Sequence, residues 1–220
     1  MLPRIIMFDM DGTLVDSRAG IEHTLRMTLA ECGKPLSADH DLSWCIGASL
    51  WAIFEKYLET TDRPVIEGAV STYRHIYRDG PMFEYTVYDG IVETLDTLRK
   101  DGARLVVATA KAHEYAREII STAPFSDMIA HVYGSELDGT NVEKRDLIRH
   151  VLREEQVNAD QAVMVGDRHH DIDGATANGV PGIAVTYGYG SPEEWARAAA
   201  VVDTPPQLVP AIVDLVAEAR

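Results

Sequence analysis

The chain has 220 residues, 46% of them hydrophobic and 25% charged, and a formal net charge of −15 at pH 7. That length suits one main domain with a smaller second one, and that charge repels nucleic-acid polymers and anionic membranes at long range. No run of about 18 apolar residues is long enough to span a membrane, no opening segment joins a basic flank to an apolar run, and the two cysteines, Cys32 and Cys45, are too few for a disulfide framework or a zinc site. Both read as core or partly buried thiols. A soluble, cytoplasmic protein with no nucleic-acid or membrane partner is expected.

Ile5, Ile6, Met7 and Phe8 form an apolar run of the kind that fills a strand buried on both faces of a parallel sheet. The run stops at Asp9. A carboxylate is costly to bury unless paired or bound to a metal, so Asp9 belongs where the strand leaves the core. Gly12 lets the chain turn, and Asp11 sets a second carboxylate beside the first. Such a pair calls for a shared proton or a cation, and a hard divalent cation suits it best. From these residues alone, an acidic turn after a strand is the alternative. A calcium loop fits worse, because Thr13 stands where its pattern needs Asp or Asn.

Helical spacing takes over from Asp16 to about Gly80. Ile21, Leu25, Leu29 and Cys32 predict a first helix, stopped by Gly33 and Pro35. Leu50, Ile53, Phe54, Tyr57 and Leu58 predict a second, and Val65, Ile66, Ala69, Val70, Tyr73 and Tyr77, after Pro64, a third. The segment 16–81 reads as a helical domain inserted after the first strand as a cap over Asp9. Residues 1–15 and 82–220 make the main domain.

Beyond Tyr88, strands and helices alternate, which predicts an α/β, doubly wound parallel sheet. A helix from about Ile91 to Arg99 leads to a strand from Arg104 to Thr109, a helix from His113 to Ser121 and a weaker strand from Met128 to Tyr133. A helix from Lys144 to Glu155, a strand from Ala162 to Val165, a short helix from about Asp171, a strand from Gly182 to Val185 and a last helix near Leu208 to Ala219 complete the order. Ligands of open parallel sheets sit beyond the carboxyl ends of the strands, where Asp9, Thr109 and Asp167 are all expected. Asp167 and Asp171, four residues apart on a loop entering a helix, can offer two carboxylates to one ion. Taken singly, Asp171 reads equally as a helix N-cap, and Asp173 as solvated. His169 and His170 make a poor zinc site, since adjacent histidines point different ways and no cysteine is near. Lys144 alone would be a surface residue; beside a metal and a nucleophilic aspartate it would hold phosphate oxygens.

These motifs, in this order at strand ends, resemble the haloacid dehalogenase-like hydrolases, and specifically their phosphatases. Asp9-Met10-Asp11-Gly12-Thr13 is similar to the first motif of that family, Thr109 to the second, Lys144 to the third, and Gly166-Asp167 with Asp171 to the fourth. The resemblance covers nearly the whole chain. It implies a phosphatase of small-molecule phosphate monoesters, in which Asp9 attacks phosphorus and becomes an aspartyl phosphate. Asp11 would protonate the leaving alcohol and then activate water. It implies a Mg2+ ion held by Asp9, the Asp11 backbone carbonyl and Asp167, with Asp171 direct or through water, and phosphoryl oxygens bound by Thr109 and Lys144 with Gly12 and Ala110. The family's dehalogenases lack an acid at the position of Asp11, so its presence argues for ester hydrolysis.

The helical insertion and the stretches IGASL, YGSELDGT, VGDRHHDIDGA and TYGYGS resemble the phosphoglycolate phosphatase-like branch, some of whose bacterial members are 5′-nucleotidases. Phosphoglycolate or a 5′-nucleotide is therefore the expected kind of substrate. A phosphomutase and a regulatory protein on the same fold are the alternatives, and a monomer or homodimer is expected. Substrate contacts are sought at Gly47, whose helix start offers backbone N–H groups to an anion, at Arg74 and Arg78, one helical turn apart, and at Lys111, two residues after Thr109. The second D-G-T, at Asp138 to Thr140, reads as a loop near the site. Tyr189 reads as a structural residue, with stacking on a base as the alternative.

Overall fold

A computed structural model describes residues 2–218, apart from the side chains of Val216 and Glu218. The chain forms two compact units: one takes the residues up to Val15 and from Val87 onward, the other Asp16–Thr86. The crossing back to the first unit lies five residues later than position 82, where it was expected. The reason is that Pro81–Phe83 turns against the first helix of the second unit: a β-carbon on Gly20 would stand 2.0 Å from the Pro81 carbonyl oxygen, and the Gly20 N–H donates to the Glu84 carbonyl at 3.2 Å.

The first unit is built on six strands, β1 (Ile5–Phe8), β4 (Arg104–Ala112), β5 (His131–Ser135), β6 (Ala162–Gly166), β7 (Gly182–Val185) and β8 (Ala200–Val202); β2 (Val15–Asp16) and β3 (Thr86–Val87) are two-residue strands where the chain crosses between the units. The six form one parallel sheet with strand order β5-β4-β1-β6-β7-β8. Every side chain of β1 is fully buried, as its unbroken apolar run requires. Ile5 and Met7 pack with Val106, Met164, Leu147, Ile148 and Val151. By the period-2 alternation of a strand, Ile6 and Phe8 turn to the opposite face. Helices α4 (Ile91–Lys100), α5 (His113–Thr122), α6 (Lys144–Glu154), α7 (His169–Ala177) and α8 (Leu208–Glu218) belong to the same unit. In register, Phe8 lies opposite Val107 on one side and Val165 on the other. The residues that follow these three paired positions therefore emerge side by side toward the carboxyl end of the sheet.

The second unit is helical: α1 (Arg18–Glu31), α2 (Leu50–Leu58) and α3 (Arg63–Arg78). Pro64 sits in the first turn of α3, where its missing N–H costs nothing, and Gly33, at φ +74°, follows the end of α1. Leu25, Leu29, Ile53, Phe54, Val70, Tyr73 and Tyr77 are buried, and the Phe54 and Tyr73 rings meet edge to face at 6.2 Å.

Several boundaries differ from expectation. Ser126–Met128 is a 3-10 turn, so β5 begins at His131, paired with Val106 of β4, and not at Met128. β4 runs on to Ala112, α7 opens at His169, and the three-residue edge strand β8 left too little pattern to be read. Ala219, the expected end of the last helix, lies outside the described residues. Cys45 is buried, but Cys32 is exposed beyond the last turn of α1, so only one of the two thiols is a core residue.

Candidate active site

The carboxylates meet where the central strands end. The backbone N–H of Asp9 donates to the Val165 carbonyl at 2.9 Å, continuing the β1–β6 ladder for one more residue. Asp167 follows Gly166 at the end of β6, Asp171 lies in the first turn of α7, and Lys144 opens α6. Asp9, Asp167 and Asp171 are 3%, 0% and 1% exposed, and each offers a ligand atom within 4.8 Å of the other two.

Three buried anions at that range repel unless cations intervene. Lys144 supplies one: its Nζ stands 2.7 Å from Asp9 Oδ1 and 2.5 Å from Asp171 Oδ1, and it donates to the Ala108 carbonyl at 2.8 Å. Asp171 Oδ2 also accepts the Arg168 N–H at 3.2 Å, so this residue caps α7 and joins the cluster at once. One ammonium cannot balance three carboxylates, and protonation reflects the deficit. Burial, opposed by Lys144, pushes the Asp9 carboxyl up to about 7. Burial and the neighbouring Asp171 and Asp9 hold that of Asp167 well above the carboxylate range. Burial alone would lower the Lys144 pKa, but Asp171 and Asp9 outweigh it, so the net shift is upward. Asp167 Oδ1 is buried with no hydrogen-bond partner. An all-oxygen donor set with an excess of negative charge and an orphaned carboxylate oxygen fits a hard divalent cation.

Asp11 stands apart. Its Oδ1 lies 3.2 Å from Lys111 Nζ, and both side chains are nearly buried. Asp11 is not in the group of three: the carboxylates that gather with that of Asp9 come from the end of β6 and from α7. A tight turn separates the pair, with the Leu14 and Val15 N–H groups donating to the Met10 carbonyl at 3.0 and 3.1 Å and the Gly12 N–H to the Val15 carbonyl at 2.8 Å. Gly12 sits in that turn at φ +85°.

Thr109 is buried on β4, and its hydroxyl oxygen accepts the Lys111 N–H at 3.2 Å. The β4–β5 ladder is irregular between Ala108 and Ala112, next to Ala110, whose carbonyl accepts the Ser135 hydroxyl at 2.8 Å. Lys111, read as either a surface residue or a phosphate ligand, has a nearly buried side chain whose Nζ pairs with Asp11. In the second unit, Gly47 has φ +81° three residues before α2, Arg74 lies with its guanidinium 5.3 Å from the centre of the Trp51 ring, and Arg78 is exposed in the last turn of α3. Asp173 is exposed and pairs with Arg197 at 3.1 Å. Asp138 accepts the Thr140 N–H at 2.9 Å, a local turn that explains the second D-G-T.

Sequence reasoning named Tyr189 but missed which residues the segment after β7 holds. The backbone N–H of Tyr189 donates to Asp167 Oδ2 at 2.7 Å, and the indole N–H of Trp195 donates to the Asp167 carbonyl at 2.7 Å. Glu194 accepts from Arg168 and His169. Burial would raise its pKa, but those bonds bring it down to about 2. No local signal marks these roles, since one donor is a backbone group and the others act 25 or more residues away in sequence.

Comparison with known proteins adds four likenesses. The family model for haloacid dehalogenase-like hydrolases matches residues 6–185. A 5′-nucleotidase of Pseudomonas aeruginosa is 41% identical over 189 residues, 86% of this chain and 85% of the relative. Tyrosine-protein kinase PtkA of Mycobacterium tuberculosis is 34% identical over 188 residues, but the match spans 86% of this chain and only 64% of that kinase. Among solved structures, that of a predicted phosphatase from Clostridium acetobutylicum superposes with a TM-score of 0.92 at 34% identity, over 97% of this chain and 100% of its own.

Proposed function

Because this chain belongs to the haloacid dehalogenase-like hydrolases and is a phosphatase among them, we propose that it is a Mg2+-dependent enzyme that hydrolyses small-molecule phosphate monoesters through an aspartyl phosphate on Asp9. Asp9, Asp167 and Asp171, with the Asp11 backbone carbonyl, would hold the ion, which when bound screens the repulsion between carboxylate and phosphate. The Asp9 carboxylate attacks phosphorus and the ester oxygen leaves. Asp11 gives that oxygen a proton and then takes one from the water that hydrolyses the acyl phosphate. The Lys144 ammonium and the Thr109 hydroxyl hold the non-bridging oxygens, with the backbone at Gly12 and Ala110 beside them. The Lys111 ammonium, 3.2 Å from Asp11 Oδ1, is a further candidate contact for the substrate's phosphate.

The observation that carries this reading is the convergence of Asp9, Asp167 and Asp171 within 4.8 Å, all buried, with one ammonium bridging Asp9 and Asp171. A 5′-nucleotide is the substrate class favoured by the likeness to the Pseudomonas 5′-nucleotidase, with phosphoglycolate next. We assign the helical unit 16–86 the part of a cap that selects the substrate, Gly47, Arg74 and Arg78 being its candidate contacts. Phosphate release from 5′-nucleotides, phosphoglycolate, sugar phosphates and an aryl phosphate, each with Mg2+ and with chelator, tests the reading. Release with Mg2+ alone supports it, and release undiminished by chelator contradicts it. The likeness to PtkA favours a second reading, transfer to an acceptor other than water; phosphate release that needs no added acceptor decides against it.

A further inference from the structure

The loop that carries Asp167 is held from outside the cation cluster. Trp195 packs with Ile172 and Ala184 and donates its indole N–H to the Asp167 carbonyl at 2.7 Å. Glu194 Oε2 accepts the Arg168 Nε–H at 2.9 Å and the His169 N–H at 3.1 Å, and lies 2.7 Å from His169 Nδ1. Gly190 lets the two segments close: a β-carbon there would stand 1.9 Å from the Asp167 carbonyl oxygen and 2.7 Å from the Trp195 indole nitrogen. The 3-10 turn Pro192–Trp195 thus grips the backbone and side chains from Asp167 to His169, just before Asp171.

This grip opposes the repulsion that the cluster creates. Without restraint, a loop bearing Asp167 and Asp171 would relax away from Asp9 and separate the oxygens that a cation must bridge. Groups that touch a ligand residue but not the ion commonly decide how well a metal site is formed. We propose that Glu194 and Trp195 are positioning residues for the cation site, fixing the Gly166–His170 segment so that Asp167 and Asp171 face Asp9; the proposal rests on the Mg2+ reading above. Neither residue would touch the ion.

The test is calorimetric titration of Mg2+ into the metal-stripped full chain, for the wild type, Trp195→Phe and Glu194→Gln. Melting of the metal-free proteins and activity against Mg2+ concentration are measured alongside. Trp195→Phe keeps a ring in place and removes only the donor; Glu194→Gln keeps the shape and removes the charge. The expected result is a Mg2+ dissociation constant raised about 10–100-fold in each variant, with activity recovered at high Mg2+ and KM for the phosphate ester unchanged. Wild-type affinity in both variants overturns the proposal, and a fall in melting temperature with an unchanged dissociation constant makes the two residues structural only. If Trp195→Phe does not fold, Glu194→Gln decides by the same criteria. A wild type that takes up no Mg2+ overturns the Mg2+ reading and this proposal together, a failure distinct from one confined to the variants.

Discussion

Gly12→Ala is a one-carbon change whose consequences can be worked from the structure. At φ +85° a side chain is strained, at a cost of roughly 1–2 kcal/mol. The new Cβ would lie 2.3 Å from Asp167 Oδ2, 2.6 Å from its Cγ and 2.8 Å from a ring carbon of Tyr189, against 3.4 Å or more for an ordinary contact. The Asp167 carboxylate must therefore retreat by about 1 Å, a displacement that costs on the order of 100-fold in rate when it misplaces a catalytic group. Retreat is not free, since Asp167 is fully buried and Tyr189 already holds Oδ2. Steady-state phosphate release at saturating Mg2+ should fall about 100-fold. The melting temperature should drop by only a few degrees, at roughly 2–4 °C per kcal/mol for a chain this long. A Gly12→Ala variant that turns over near the wild-type rate would refute the claim that Asp167 must sit where it does.

Other outcomes follow from the same geometry. Asp9→Asn should abolish turnover and leave the circular dichroism spectrum native; activity in that variant sinks the nucleophile assignment. Burial raises the Asp9 carboxyl from 3.8 to about 7 and that of Asp167 well above 3.8. A carboxyl raised in the folded state binds its proton there first, so metal-free protein should become more stable as the pH falls from about 7.5 to 5.5. Melting scans in chelator check this, and a melting temperature that is flat or falls over that range contradicts it. Phe8 is fully buried in the central strand, so Phe8→Ala should cost about 3–5 kcal/mol in denaturant unfolding; a loss near zero would mean the sheet centre is not the core.

What the sequence revealed and what it hid divide along physical lines. The sheet and its strand ends were legible because β1, β6 and β7 are unbroken apolar runs stopped by Asp9, Asp167 and Thr186, a signal that needs no knowledge of distant partners. Asp9 and Asp167 could be singled out because charges at strand ends need a reason to be there, whereas Lys144 and Asp171, ordinary when taken singly, gained their roles from the company of those two and from the family resemblance. The pairing of Asp11 with Lys111 was not legible: which of several nearby cations a carboxylate meets depends on the path of the turn through Gly12. Tyr189, Glu194 and Trp195 were hidden more deeply. Their contribution is a backbone N–H, an indole N–H and a carboxylate aimed at another loop, and nothing in their own neighbourhood announces it. The exposure of Cys32 and the start of β5 three residues late both lie at element ends, where local pattern is weakest.

The central claim, that Asp9 carries the phosphoryl group, is tested most directly by trapping. Enzyme turning over a 5′-nucleotide with Mg2+ is quenched, reduced with borohydride and mapped by mass spectrometry, since reduction converts an aspartyl phosphate to homoserine. Homoserine at position 9, absent with chelator and absent without substrate, is the result this account predicts. Steady turnover with an unmodified Asp9, or with the mark on another carboxylate, would contradict it.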